Sequence, residues 1–351
     1  MKKISILLAS ALALVAFASC GKNDTGAVAA ESVPVRLVIK AVGSGETRAT
    51  GVVSNSEATE AKVNSLQVLV FNGDALDGYG SSTGSRTATV SCTSGERDIY
   101  AVVNAPSLAS VTSKAALLAQ VSNLANEIDN FQMIGSKTET LKYDGTVVVP
   151  VDRFAARVVI KGIKNAHANA ALADQFRIQA VYLTNAVGDV DYGRGADYVP
   201  ATWYNRRGYE ESNNLGSFTY DALNETVASG ETYSTAHYFY TMPNGFAGQV
   251  GLPDGATAFT PRAVRLVVRV VIAGTLYDYP ILLPALESNK SYEIELLTIT
   301  KNGNTDNGRH DPDDPDDDDE EKPVTGFEQN FEVTVNDWTV VLVGDNGNVE
   351  I

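Results

Sequence analysis

The chain has 351 residues, 44% of them hydrophobic and 8% aromatic, enough apolar side chain for about two domain cores. Its 27 basic and 43 acidic residues leave a net charge of −16, which excludes the basic surface needed to bind nucleic acid or anionic lipid. Two cysteines exclude a disulfide framework or a cysteine-built zinc site, and His167, His237 and His310 are too scattered for a two-histidine metal motif.

In chain order, Met1-Lys2-Lys3, an apolar stretch from Ile4 to Ala18, small residues and Cys20 form a secretory signal too short to stay as a membrane span. Its removal, residues 1–19, takes Lys2 and Lys3 and changes the charge from −16 to −18. Residues 22–27 read as a flexible tether. Val35, Leu37, Ile39 and Ala41 then share one face of a strand, with Arg36 and Lys40 on the other. The next stretch, 43–51, is small, polar and exposed in character, and holds the tryptic-type bond Arg48-Ala49.

Period-two patterning predicts further strands at 65–72, 87–92, 97–103, 146–151, 155–163, 177–184, 235–242, 262–273, 275–282 and 291–300. The fold class is all-β with one short helix, arranged as two β-sandwich domains, 49–150 and 151–330, with a boundary near Pro150. The helix is expected between Ser113 and Asp129, where Leu117, Val121, Leu124 and Ile128 recur at helical spacing. Cys92, inside a strand pattern, reads as a small buried hydrophobe.

Several motifs lack the context their chemistry requires. Gly80-Ser81-Ser82-Thr83-Gly84 matches a nucleophile elbow, but it lies between two strands with no helix after it. Asp189-Val190-Asp191 begins like a calcium loop, yet position twelve is Pro200 rather than an acid, so a polar turn is expected. Trp203, Tyr204 and Tyr209 beside Arg206 and Arg207 suit either packing under a loop or a sugar-binding surface. Residues 311–321 hold nine acids and two prolines, a self-repelling run expected to be a solvated linker. No acid–base pair, metal set or cofactor motif emerges, so neither an enzyme nor a cofactor is expected.

The tail, 331–351, carries Phe331, Val333 and Val335 on one face. Asn336-Asp337 breaks the phase, and Trp338, Val340 and Leu342 then line a face again. It reads as two strand segments joined by a kink.

Phe17-Ala18-Ser19-Cys20-Gly21 resembles the lipobox of bacterial lipoproteins. Arg48-Ala49, the run from Glu60 to Gly73, and Ser94-Gly95-Glu96-Arg97 leading to Ala101-Val102-Val103-Asn104-Ala105 resemble the N-terminal domain of the FimA-type fimbrillins of Bacteroidales. Residues 158–163, Asn289-Lys290-Ser291-Tyr292-Glu293-Ile294 and the closing run from Val333 to Val340 resemble its C-terminal domain.

This resemblance implies two transthyretin-like, Greek-key sandwiches. It also implies a lipid on Cys20 and carriage to the outer membrane. An arginine-specific protease would cut after Arg48, leaving Ala49 as the new N-terminus and freeing the strand that carries Val35, Leu37, Ile39 and Ala41. A C-terminal donor strand from a neighbouring subunit, drawn from Phe331, Val333, Val335, Trp338, Val340 and Leu342, would fill the slot. The implied partners are identical or homologous fimbrial subunits, and the implied role is a fimbrial stalk subunit supporting adhesion. An anchor or tip subunit, or a surface lipoprotein binding glycan or cells through 203–209, is the alternative.

Overall fold

The computed structural model describes residues 33–43, 60, 62–128, 130–195, 197–207, 216, 218–246, 258–305 and 333–337. Cys20, Arg48, Ala49, Tyr209, the acidic run 311–321, Phe331, Trp338, Val340 and Leu342 lie outside them.

The first half contains strands β1 (Pro34–Gly43), β2 (Ser65–Asn72), β3 (Ala75–Thr83), β4 (Thr87–Thr93), β5 (Gly95–Val103), β6 (Val121–Asn123), β7 (Met133–Leu141) and β8 (Gly145–Arg153). Seven of these form one curled sheet in the order β3-β2-β5-β7-β8-β1-β4. β8 turns the corner. Its stretch from Gly145 to Val151 pairs with β1, and Asp152 and Arg153 pair with β7. The sheet therefore folds over itself, β2, β5 and β7 facing β8, β1 and β4 across a shared apolar core. The expected boundary at Pro150 falls inside β8, opposite Val42.

β3 and β7 escaped the sequence patterning because of their glycines, and the packing explains those glycines. A Cβ on Gly80 would lie 2.2 Å from the Thr89 carbonyl oxygen, so β3 can cross β4 only without a side chain there. A Cβ on Gly135 would lie 1.7 Å from the Pro150 oxygen, where β7 meets the bend of β8. The nucleophile-elbow lookalike is thus the end of β3 plus a turn at Gly84 (φ +64°), a left-handed conformation that glycine adopts without steric cost.

The second half contains β9 (Ala156–Ile160), β10 (Ile163–Asn165), β11 (Phe176–Thr184), β12 (Ala186–Val187), β13 (Asp189–Asp191), β14 (Trp203–Tyr204), β15 (Tyr220–Thr226), β16 (Thr232–Tyr233), β17 (His237–Thr241), β18 (Arg265–Ile272), β19 (Thr275–Leu282), β20 (Lys290–Ile294), β21 (Leu297–Ile299), β22 (Asn304–Thr305) and β23 (Val333–Asp337). A four-stranded sheet, β17-β9-β20-β23, and a five-stranded sheet, β15-β11-β18-β19-β22, contribute to one core. That core continues into the first half through Leu69, Phe71, Val102 and Phe131. β2 is consequently buried on both faces from Leu66 to Phe71, which is why its sequence is an apolar run, broken only by Gln67, rather than an alternation.

The long helix expected between Ser113 and Asp129 does not form. A five-residue helix, Lys114–Leu118, is capped by the Ser113 hydroxyl, which accepts from the Ala116 N–H. The chain then becomes β6, whose residues pair with β13, and a 3-10 turn over Leu124–Asn126. Strand pairing to β13 satisfies the backbone that a helix would have satisfied internally. It leaves Leu117 and Leu124 buried but Val121 exposed.

Beside that turn, Glu127 is buried, accepting hydrogen bonds from the Ser122 hydroxyl and, at 3.2 Å, from the Gln132 N–H. Burial pushes its carboxyl up to about 7, against the opposing pull of those hydrogen bonds. With the folded value above the unfolded one, the group's contribution to stability is complete below about pH 4.5 and is lost as pH rises through 7. Glu127→Gln stays neutral throughout. Between pH 4.5 and 7.5 the parent should therefore lose roughly 3 kcal/mol more than the variant, read by urea unfolding at both pH values.

A polar network ties the start of the described β2 segment to the second half. Glu60 accepts from the Tyr240 hydroxyl at 2.5 Å and from Arg157 at 3.0 Å, and its carbonyl accepts from Arg153 Nε at 3.0 Å. The chain at Glu60 is thus anchored independently of β1.

Candidate functional site

β1 is the strand on which the sequence reading turns. It lies between two neighbours, parallel to β8 from Leu37 opposite Gly145 to Gly43 opposite Val151. On its other edge it is antiparallel to β4, from Pro34 opposite Thr93 to Lys40 opposite Thr87. Val35, Leu37, Ile39 and Ala41 are buried, and Arg36 and Val38 are exposed, as the alternation predicts. The four inward side chains meet Val68, Val90, Ile99, Met133 and Val149 in the first-half core. Their burial is worth roughly 7 kcal/mol, before the hydrogen bonds along two edges.

The covalent situation differs from the packing. Residues 44–64 alone connect β1 to the rest of the sandwich. A single cut there turns β1 into a separate chain held only by packing and pairing.

Cys92 sits on β4 opposite Val35 and is a buried free thiol. Burial pushes it up to about 11, and the nearby Asp77 carboxylate adds to the rise. It is therefore an inert core residue while β1 is seated.

At the far end, β23 pairs antiparallel with β20, Val333 opposite Ile294 and Val335 opposite Tyr292. It is the edge strand of its sheet. Val333 and Val335 thus belong to a strand paired within their own chain, whereas the other expected donor residues lie outside the described part.

The remaining candidates resolve into packing. Trp203 and Tyr204 are buried, Trp203 against Phe246 and Phe259, with its indole N–H donating to the Pro200 carbonyl at 3.2 Å. Arg206 lies over Phe259 at 5.0 Å. Asp189 is buried and accepts from the Tyr198 hydroxyl at 2.7 Å and the Ala201 N–H at 3.0 Å. Asp191 accepts from the Gly195 N–H at 3.1 Å. Among the described residues no cluster of three or more His, Cys, Asp or Glu side chains is placed to hold a metal ion.

Sequence reasoning missed the parallel partnership of β1 with β8. It also missed two polar residues at the end of the slot. Ser94 meets Val33 on the β4 side, and Asp144 meets Arg36 on the β8 side. Neither has a motif. A lone Ser or Asp in a turn between strands is ordinary, and only the three-dimensional pairing shows what it touches.

Comparison with known proteins gives a consistent picture. Residues 34–152 match the family model described as major fimbrial subunit protein (FimA). That span opens on the first residue of β1 and ends within β8, so it takes in the strand and both its partners. No curated protein matches the chain. Among solved structures, a candidate cell adhesion protein from Bacteroides eggerthii is similar at 21% identity with a TM-score of 0.62, covering 87% of this chain and 96% of that one. A fimbrilin (FimA) from Porphyromonas gingivalis is similar at 19% identity and a TM-score of 0.55, covering 88% and 98%. The tip fimbrial protein Mfa3 of Porphyromonas gingivalis gives 15% identity and a TM-score of 0.50, covering 87% and 100%. At these identities the solved structures establish the all-β fold. The resemblance to FimA-type fimbrillins is borne out by the family match together with that fold. The matched family is by its description one of major fimbrial subunits.

Proposed function

We propose that this chain is a fimbrial stalk subunit activated by proteolysis and polymerised by strand exchange. It is exported as a lipoprotein on Cys20 and held at the outer membrane. An arginine-specific protease then cuts after Arg48. β1 loses its tether and with it the high effective concentration that kept it seated. A C-terminal strand from another subunit takes the vacated place. Because donor and slot are different surfaces of the same chain, the contact does not close on itself and a filament grows. Residues 20–48 hold four bases and three acids, so the assembled subunit carries about −19, a charge that keeps filaments apart at low salt.

The observation that carries this reading is β1 itself: a fully seated central strand attached to its sandwich by one connection, and that connection contains Arg48. The energetics require the cut. The six apolar residues of the tail, Phe331, Val333, Val335, Trp338, Val340 and Leu342, would bury on the order of 10 kcal/mol if all transferred. If Val333–Asp337 keeps its pairing with β20, only Trp338, Val340 and Leu342 transfer, worth roughly 7 kcal/mol. That equals what β1 contributes, so exchange proceeds only once β1 competes as a separate chain.

The test is direct. The lipid-free chain treated with an arginine-specific protease should acquire Ala49 as its N-terminus and give filaments by negative-stain electron microscopy. Cleaved protein that retains β1 and stays monomeric at high concentration would sink the reading.

A further inference from the structure

In the second half, three strands from three different sheets each bring one polar side chain to a single point. Asp221 comes from β15, at the edge of the five-stranded sheet, and His237 from β17, at the edge of the four-stranded sheet. Tyr233 comes from β16, the edge of a small sheet ordered β16-β10-β21. His237 Nδ1 lies 2.7 Å from Asp221 Oδ2, and His237 Nε2 lies 3.0 Å from the Tyr233 hydroxyl. The Tyr233 and His237 rings are stacked, with 21° between their planes and 5.7 Å between their centroids. His237 is buried, Tyr233 is half-buried and the Asp221 side chain is 41% exposed.

The chemistry of the three groups sets the direction of each bond. An ionised carboxylate only accepts, so a neutral His237 carries its proton on Nδ1 and keeps a lone pair on Nε2. The Tyr233 hydroxyl therefore donates to Nε2. Among the described residues nothing donates to the Tyr233 oxygen, which leaves its own lone pairs for an electrophile. Hydroxyl, imidazole and carboxylate in this order are a nucleophile, its base and the group that orients the base. Thr232, Ser234 and Thr235 beside Tyr233 are exposed, so this edge is open to small reagents.

We propose that Tyr233 is a modification site, a nucleophilic tyrosine that takes an acyl group from a small activated acyl donor, with His237 as its base and Asp221 as the positioning residue. The O–H bond of Tyr233 breaks and its proton passes to His237 Nε2. The phenolic oxygen bonds to the acyl carbon. The leaving group departs with the electron pair of its bond to that carbon and takes the proton back from His237. The product is an aryl ester on Tyr233 and a neutral imidazole. The donor is uncharged, because the Asp221 carboxylate stands beside the base and the whole chain carries −16, both of which repel an anionic donor. This site lies apart from β1 and its slot and does not depend on the strand-exchange reading.

The test treats the full, uncut chain with N-acetylimidazole at neutral pH and follows acetylation of each tyrosine by peptide mass spectrometry. Tyr143, 77% exposed, is the internal reference. Tyr233 should acetylate about tenfold faster than Tyr143 although it is the more buried of the two. His237→Gln removes the base and should slow Tyr233 about a hundredfold. That puts Tyr233 below Tyr143, an order that an unfolded variant, in which both react alike, does not give. Asp221→Asn, at an exposed position, leaves His237 without its orienting acceptor and should slow Tyr233 about tenfold. Asp221→Glu keeps a carboxylate and should recover the rate to within about threefold of the parent. Tyr143 should react at one rate in every variant. A parent Tyr233 no faster than Tyr143 overturns the proposal, as does a parent-like rate in His237→Gln. Equal rates in Asp221→Asn and Asp221→Glu overturn the positioning role of Asp221.

Discussion

A chain ending at Asp337 is expected to be cut by an arginine-specific protease as fast as the full chain, and to remain monomeric. The truncation keeps the described fold intact, since β23 ends at Asp337 and retains its pairing with β20. It removes Trp338, Val340 and Leu342, the residues proposed to fill another subunit's slot without breaking that pairing. The full chain, cut under the same conditions, should give a ladder of oligomers on electrophoresis in detergent. The size of the difference follows from the energetics: losing roughly 7 kcal/mol of burial weakens a joint by about five orders of magnitude. Equal polymerisation of the two forms would remove the tail from the mechanism.

The second large effect is expected from Ile39→Asp. Ile39 is fully buried at the centre of β1, and a carboxylate there faces only apolar side chains. Leaving it in place costs more than about 4 kcal/mol, comparable to the whole contribution of the strand. β1 should therefore leave the slot even while tethered. Cys92, paired opposite Val35, then becomes accessible. Alkylation mapped to Cys92 should accelerate by at least about a hundredfold relative to the parent, because a thiol under a seated strand reacts only when the strand opens. The control is Val38→Asp, on the exposed face of the same strand, expected to change stability by less than about 0.5 kcal/mol. Slow, parent-like alkylation in Ile39→Asp would show that β1 does not cover Cys92.

Much of this was legible in the residues. The alternation of Val35, Leu37, Ile39 and Ala41 placed a half-buried strand correctly, because burial of one face leaves a period of two. Cys92 read as a buried hydrophobe, and it is one. β3 and β7 were not legible, since Gly78, Gly80 and Gly135 break the pattern for reasons that lie on other strands. The helix over 113–129 was misread because Leu117 and Leu124 are buried at helical spacing for different reasons. One packs from a short helix and the other from a turn, with a strand between them. The slot's end residues were invisible for a simpler cause: hydrogen bonds from side chains to a distant backbone leave no periodicity. Neither Ser94 nor Asp144 is near Val33 or Arg36 in sequence.

The placement of β1 between β8 and β4 also bears on mechanics. A ribbon gripped along both margins, when pulled along its own length, must break all its margin bonds nearly at once, whereas peeling it sideways breaks them in sequence. A strand seated in this position would hold firm under traction along a fibre and still be exchanged gradually from one end. Strength under load and ease of replacement would then come from the same geometry, separated only by the direction of the force.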